Sequence, residues 1–371
     1  MMWSPQQEQA LQSVAAWFQS GNEQVHRCFG FAGTGKTTLA RHFADQIKGS
    51  TEYAAFTGKA AMVMRNSGCD GAGTIHSKIY KVKRNLQTGK LQFNLDKSEG
   101  NAIKQAALVV IDECSMVDED LGKDLVSYGK PILVLGDPAQ LPPVKGGGYF
   151  TNAEPDVMLT EIHRQAEGDP IIHLATTIRT GGTLEYGQYG ESAVITKRDV
   201  NAKMILDADQ VLVGKNETRH AYNRRIRELK GHTHWLPVEG ERLVCLKNNK
   251  ESGLYNGSLV DVVAVHPRSS NDVADKLIPI TVRSADEPDA DVIKTVVREE
   301  CFTGGLDDIH WSELTGTDQF NFGYALTTHK AQGSQWPSVI VFDESRTFRQ
   351  DAQRWLYTAC TRASQKITII R

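Results

Sequence analysis

Residues Gly30-Phe31-Ala32-Gly33-Thr34-Gly35-Lys36-Thr37 fit G-x-x-x-x-G-K-[ST] at every position. Average residue usage puts a chance match in a chain of this length at roughly one in a hundred. The context narrows it further. An apolar run, Val25–Phe29, precedes the glycines, and Leu39, Phe43 and Ile47 follow at helical spacing. Strand, Gly-rich turn and helix in that order belong to an α/β sheet with its ligand site at the strand's carboxyl end. Glycines let backbone N–H groups close around phosphate oxygens, and the helix N-terminus adds partial positive charge. Gly33, Thr34, Gly35, Lys36, Thr37 and Thr38 are therefore the expected nucleotide contacts. Lys36 is placed to reach the β- and γ-phosphates and Thr37 to put a hydroxyl on Mg²⁺.

The rest of the first half agrees. Tyr53–Phe56, Ala106–Ile111 and Pro131–Leu135 are apolar on both faces, as strands of a covered parallel sheet are. Each ends in polar residues. Asp112 stands where the second metal ligand of a P-loop site belongs, and Glu113 is placed to orient or deprotonate an attacking water. A small-molecule kinase typically lacks that adjacent acid pair, so the pair favours hydrolysis. Residues 1–165 read as one α/β domain. The second half repeats the style without repeating sequence. Strands are expected at Gln210–Val213, Ser338–Phe342 and Lys366–Ile370, and helices at Glu217–Leu229 and Asp351–Ala363. Two segments differ. Residues 81–95 alternate Leu91, Phe93 and Leu95 with Gln92 and Asn94 beyond a Thr88-Gly89 turn, which predicts a β-hairpin. Residues 241–300 hold four β-patterned runs, with a turn signal at Asn256-Gly257, which predicts a small all-β insertion.

At 371 residues, about two to three domains are expected. With 42 Lys+Arg against 45 Asp+Glu the formal charge is −3, which excludes a strongly basic coat protein. Local nucleic-acid grooves remain open. No run of 18 apolar residues predicts a membrane span, and the first residues lack a secretory pattern. The six cysteines show no C-x-x-C spacing, so reduced, mostly buried thiols in a cytoplasmic protein are expected, not zinc.

Taken together, the motifs resemble the superfamily 1B helicases, the RecD/Dda-like group, over nearly the whole chain. Ser4-Pro5-Gln6-Gln7 resembles the adenine-reading Q motif. Phe56-Thr57-Gly58-Lys59-Ala60-Ala61 resembles motif Ia, and Thr74-Ile75-His76 the family's T-I-H. Asp112-Glu113-Cys114-Ser115-Met116 resembles motif II, Gly136–Val144 (GDPAQLPPV) motif III, and His163-Arg164-Gln165 motif IV. Tyr324–Ser334 (YALTTHKAQGS) resembles motif V and Leu356–Ala363 (LYTACTRA) motif VI. Motifs III, V and VI are the specific ones. Two positions depart: Phe56 stands where Pro is usual, and Gln335 where a nucleotide-facing Glu is usual. Gln accepts a hydrogen bond but carries no charge.

The resemblance implies two RecA-like P-loop NTPase domains. Domain 1A would span 1–78 and 103–165, with a hairpin (pin) domain 1B at 79–102. Domain 2A would span 166–240 and 319–371, with an SH3-like all-β domain 2B at 241–318. It implies ATP and Mg²⁺, with Lys36, Asp112, Glu113, Gln140, Arg164 and Arg362 catalytic and the two arginines acting on the γ-phosphate. Gln7 would read adenine, with Gln6 and Gln9 as alternatives, and Gln335 would face the nucleotide. Thr57, Lys59, His76, Thr327 and His329 would line the single-stranded DNA path. Phe93 and Trp235 are aromatic stacking candidates, with ordinary packing the commoner role for each. The helical basic run Arg219, Arg224, Arg225, Arg227 and Lys230 is expected to be a solvated face. The expected activity is 5′→3′ DNA translocation and unwinding by a monomer in a bacterial or phage-infected cell. Expected partners are single-stranded and forked DNA, with a single-strand-binding or replisome protein as a further candidate. The alternatives are an RNA helicase, and, in another class, a nucleotide kinase or a non-translocating ATPase switch. No carboxylate cluster outside the motor motifs suggests a nuclease.

Overall fold

The computed structural model describes residues 3–84, 91–143, 148–161, 168–249, 254–285 and 291–371. Its contacts divide into two compact units, one of 1–185, 332–335 and 348–362, the other of 186–331, 336–347 and 363–371.

The first unit contains β1 (Val25–Gly30), β2 (Thr51–Ala55), β3 (Gly73–Thr74), β4 (Tyr80–Arg84), β5 (Leu91–Leu95), β6 (Leu108–Asp112), β7 (Ile132–Gly136) and β8 (Val157–Leu159). Six of these form a parallel sheet in the order β3-β2-β6-β7-β1-β8. Both faces are covered, which is why the central strands read apolar throughout. Val14, Leu39, Phe43, Met64 and Leu133 lie in one buried cluster, and Ile75, Ile79, Val109, Leu121 and Phe150 in the other. The order sets β7 beside β1 and β6 beside β7, so motif III and the acid pair emerge at the same sheet edge as the phosphate loop.

The helix Pro5–Ser20 was not expected from the sequence. Ser4 and Gln7 form its capping box: Gln7 N–H donates to Ser4 Oγ at 3.3 Å, and Ser4 N–H donates to Gln7 Oε1 at 3.1 Å. Proline at the first position and left-handed Gly21 just past the end complete the signature. β4 and β5 pair antiparallel, Tyr80 opposite Leu95 and Val82 opposite Phe93. The expected turn at 87–90 lies outside the described residues.

The second unit contains β9 (Gly187–Tyr189), β10 (Ser192–Ile195), β11 (Gln210–Val213), β12 (Arg242–Cys245), β13 (Leu259–Val265), β14 (Leu277–Ser284), β15 (Ile293–Arg298), β16 (Phe320–Phe322), β17 (Ala325–Thr327), β18 (Trp336–Phe342) and β19 (Ala363–Ile370). One sheet has the order β17-β11-β18-β19-β10-β9 and is parallel except for β9. The other is antiparallel, β15-β14-β13-β12-β16, around Leu243, Val260, Ile280, Val282 and Phe320.

Three expectations need correction. The all-β insertion does not stop at 318, because Phe320–Phe322 pairs with β12 as the sheet's last strand. Residues 166–185, 332–335 and 348–362 group with the first unit instead of the second. The helix Pro170–Arg179 accepts hydrogen bonds from Gln353, and Gln332, Tyr357 and Thr358 are bonded to motif III, as described below. The basic run is not one solvated face. Arg219 and Arg227 are buried because they share the inward stripe of the helix Asn216–Leu229 with Asn223 and Ile226. Arg227 is balanced there by the buried Glu241 carboxylate at 2.6 Å.

Candidate active site

The phosphate loop follows from its glycines. Gly33 and Gly35 adopt φ near +80°, a conformation other residues rarely hold. Gly30 has no room for a side chain: an added Cβ would lie 2.6 Å from Thr34 Oγ1. The loop is braced by Thr34 Oγ1 donating to Phe31 O at 2.9 Å. Lys36 Nζ donates to Gly30 O and Phe31 O at 2.8 and 3.0 Å, so the ammonium lies across the loop's mouth. Gln7 Nε2 donates to Thr34 O at 3.0 Å, tying the first helix to the loop. Gln6 is used elsewhere: it donates to Thr160 Oγ1 and accepts from the N–H groups of Thr160 and Glu161.

Thr37 Oγ1 donates to Asp112 Oδ2 at 2.6 Å. A hydroxyl and a carboxylate so placed form the oxygen pair that a hard divalent cation accepts. Among the described residues no cluster of three or more His, Cys, Asp or Glu is placed to hold a metal. A magnesium ion at a P-loop needs only one or two protein oxygens, with phosphate and water supplying the rest.

Glu113 follows in left-handed backbone geometry, φ 52°, with its N–H on Asp112 Oδ1 at 2.7 Å. Burial pushes its carboxyl pKa up; Arg362 opposes that shift and Asp112 reinforces it. A raised carboxyl pKa makes a stronger base, the property proton abstraction from water requires.

Motif III is fastened to the segment resembling motif VI. Asp137, buried, accepts from Tyr357 O–H at 2.6 Å and from Ala139 N–H at 3.0 Å. Leu141 N–H donates to Thr358 Oγ1 at 2.9 Å, and Gln332 Nε2 to Leu141 O at 3.0 Å. Gln140 is only 6% exposed and its Oε1 has no hydrogen-bond partner among the described residues. A buried amide oxygen left open is unfavourable unless something completes it. Arg362 is 3% exposed and held by neutral acceptors only: Thr358 O, Ser334 O and Thr361 Oγ1 at 3.0–3.3 Å. Its charge remains available to an anion.

Two neighbours of the loop were missed in the sequence. Arg179 stacks its guanidinium 3.6 Å from the Phe31 ring centroid. Tyr357 O–H accepts from Ala32 N–H at 3.4 Å. The LYTACTR motif carried the signal for Tyr357; Arg179 had none.

Other expected residues are placed variously. Arg164 lies outside the described residues. Gln335 is exposed, and its Nε2 donates to Thr361 O at 3.4 Å. Thr38 is exposed in the first turn of the helix Lys36–Ala44. Thr57 caps the helix Gly58–Asn66 through Ala60 N–H, and Lys59 is buried in that helix. The His76 ring contacts those of Phe56, Tyr80 and Phe93 at 5.8–6.0 Å between centroids, and burial lowers its pKa. Phe93 remains 50% exposed on the hairpin. Thr327 is buried and accepts from Lys330 N–H; His329 is partly exposed. Trp235 packs against the antiparallel core.

Strand, loop, acid pair and buried arginine define a P-loop nucleotide-binding centre. The chain belongs to the AAA domain family, which it matches over residues 2–199, and residues 322–370 match the UvrD-like helicase C-terminal domain. It is 26% identical over 367 residues to the ATP-dependent RecD2 DNA helicase of Deinococcus radiodurans, covering 91% of this chain and 45% of that protein. An uncharacterized protein of Methanocaldococcus jannaschii is 24% identical, covering 92% and 36%. The chain thus spans less than half the length of these relatives. The fold matches that of Bacteroides Pif1 bound to single-stranded DNA, at TM-score 0.62 and 18% identity, covering 99% of this chain and 92% of that one. It matches Pif1 from Candida albicans at TM-score 0.53, also 18% identical, covering 100% and 95%. The resemblance to superfamily 1B helicases is borne out. No described helix is long and apolar enough to cross a membrane.

Proposed function

We propose that this chain is an ATP-dependent DNA helicase that translocates 5′→3′ on one strand. The observation that carries the reading is the fastening of motif III to residues 332–362. Asp137 is held by Tyr357 and Leu141 by Thr358, while Gln140 Oε1 and the Arg362 guanidinium are left for a ligand. A nucleotide kinase has no use for such a link between its phosphate site and a sequence-distant motif. A motor needs one, because phosphate occupancy must be reported beyond the ATPase site.

The roles follow from the chemistry. Gly33, Gly35 and the helix beginning at Lys36 cradle the phosphates of ATP, and Lys36 turns from its loop carbonyls to them. Thr37 and Asp112 would hold Mg²⁺, which when bound neutralises charge on the β- and γ-phosphate oxygens. Glu113 takes the proton of the attacking water. Arg362, with Arg164, stabilises charge on the transferred phosphoryl group. Gln140 closes on the γ-phosphate, and Tyr357 and Thr358 carry its displacement into residues 352–360. Gln7 is already shared between Ser4 and Thr34, so adenine reading requires it to release one of them or falls to Gln9.

On the nucleic-acid side, Thr57, Lys59 and His76 would form one grip and Thr327 and His329 the other, on domains 1A and 2A. The hairpin of domain 1B, with half-exposed Phe93 on His76 and Tyr80, would separate the strands. Hydroxyls and a neutral imidazole suit contacts released at every step. The similarity to Pif1 helicases bound to single-stranded DNA and acting at forked duplex supports DNA as the substrate class.

The test is ATP turnover with and without single-stranded DNA or RNA. Turnover stimulated many-fold by DNA is expected; turnover indifferent to DNA would point to the ATPase switch, and stimulation by RNA alone to an RNA helicase.

A further inference from the structure

The second unit buries a guanidinium that no acid balances among the described residues. Arg219 lies in the first turns of the helix Asn216–Leu229 and is only 6% exposed. Its Nη2 shares a 2.9 Å hydrogen bond with His220 Nε2, while Nε and Nη1 have no partner among the described residues. Arg227, two turns on along the same face, shows the contrast. It is equally buried, but Nε and Nη2 donate to the Glu241 carboxylate and Nη1 to His234 O. One end of the stripe has its counter-charge and the other does not.

Among the described residues, the titratable neighbours whose pKa Arg219 shifts are bases, not carboxylates. Burial, and then the Arg219 charge, lower the pKa of Lys330. Burial, and then Arg219 and Arg224, lower that of His220. Burial alone lowers that of Arg219, with no carboxylate opposing it. A buried guanidinium is normally paired, and here its neighbours are the imidazole of His220, which accepts one of its hydrogen bonds, and the like-charged Lys330. An unpaired donor in such a place calls for an ion brought from outside.

The position says which ion. One turn beyond Arg219, the Asn223 side chain bonds both the N–H and the C=O of Ala325, pinning this helix face to β17. β17 ends at Thr327, and Lys330 N–H donates to Thr327 Oγ1 at 3.4 Å. Arg219 and Lys330 therefore meet at the carboxyl end of a parallel strand, where such sheets place ligands. Arginine donors match phosphate oxygens in charge and geometry.

We propose that Arg219, with His220 and Lys330, is a binding site for one phosphodiester of a single-stranded nucleic acid. The proposal rests on the reading of the chain as a DNA translocase and adds a phosphate contact to the Thr327 and His329 grip. A grip of hydroxyl and imidazole gains one fixed anchor for register.

The experiment measures labelled oligo(dT) binding to the full chain by fluorescence anisotropy, without nucleotide, over a series of salt concentrations, alongside thermal unfolding. Arg219→Met is expected to weaken binding about tenfold and to make the slope of log affinity against log salt shallower by about 0.7, one lost phosphate contact. Its unfolding temperature without DNA should equal or exceed that of the unsubstituted chain, because an unbalanced buried charge is gone. Arg219→Lys, which keeps the charge, should keep the slope and lose less affinity; it carries the test if the Met variant does not fold. Arg225→Gln, on the exposed side of the helix and paired with Glu228, should stay within about twofold. A less stable Arg219→Met with unchanged affinity and slope would make the guanidinium structural and overturn the proposal. Inorganic phosphate that stabilises the unsubstituted chain but not Arg219→Met, with DNA affinity equal in both, would make this a small-anion site and also overturn it. An unsubstituted chain that fails to bind oligo(dT) would contradict the helicase reading itself.

Discussion

At the residue scale, the proposed chemistry rests on Glu113 and Arg362. Glu113→Gln keeps the phosphate loop and Asp112, so it should bind ATP normally and lose DNA-stimulated turnover. Near-normal turnover in that variant would remove Glu113 from its role as base. The raised pKa sets the pH profile: the basic form is required, so turnover should fall on the acid side at a pH above the ordinary carboxyl range. The same shift has a stability sign. The folded state favours the neutral carboxyl, so this group's stabilising contribution is full below its unfolded pKa and is lost as pH rises through the raised value. Arg362→Ala should lose about 10³-fold or more in turnover. Buried Arg227 behaves differently. Arg227→Ala strands Glu241 without its counter-charge and should cost about 3–5 kcal/mol in unfolding free energy, read by denaturant titration.

Among the elements, the parallel strands were the most legible, because a strand covered on both faces must be apolar throughout. Val109, Val110, Leu133 and Val134 are all fully buried. The helix Pro5–Ser20 was less so: its capping residues coincide with a motif that reads as adenine recognition, and one glutamine serves both descriptions. β16 was missed because Phe320–Phe322 is short and abuts the motif V segment. The basic helix misled for a physical reason. Charge alone reads as solvated, and only its register against Asn223 and Ile226 turns Arg219 and Arg227 inward. The hairpin yields its own prediction. Opening a DNA step costs roughly 1.4 kcal/mol, and a rigid element at the fork directs motor movement against that cost. Replacing Asn85–Gln92 by a short Gly-Ser turn should leave DNA-stimulated ATPase within a few-fold while abolishing most duplex unwinding. It should still strip a protein block from single-stranded DNA. Normal unwinding by this variant would move the separating element elsewhere, with the antiparallel sheet of β12–β16 next in line.

For the whole molecule, two RecA-like units were legible from the repeated strand–helix style and the order of motifs, but their borders were not. Residues 332–335 and 348–362 follow their hydrogen bonds to Leu141 and Asp137, a long-range pairing that no local pattern encodes. Those same bonds are what the proposed motor depends on, for they join motif III, where the proposal puts γ-phosphate sensing, to motif VI. The measurement closest to this claim is strand displacement from duplexes carrying a single-stranded tail on one end only. ATP-dependent unwinding of the 5′-tailed duplex, absent with the 3′-tailed one and lost in Lys36→Ala, is the predicted result. Unwinding from the 3′ tail would contradict the assigned direction, and no unwinding of either substrate despite DNA-stimulated ATP turnover would contradict the helicase itself.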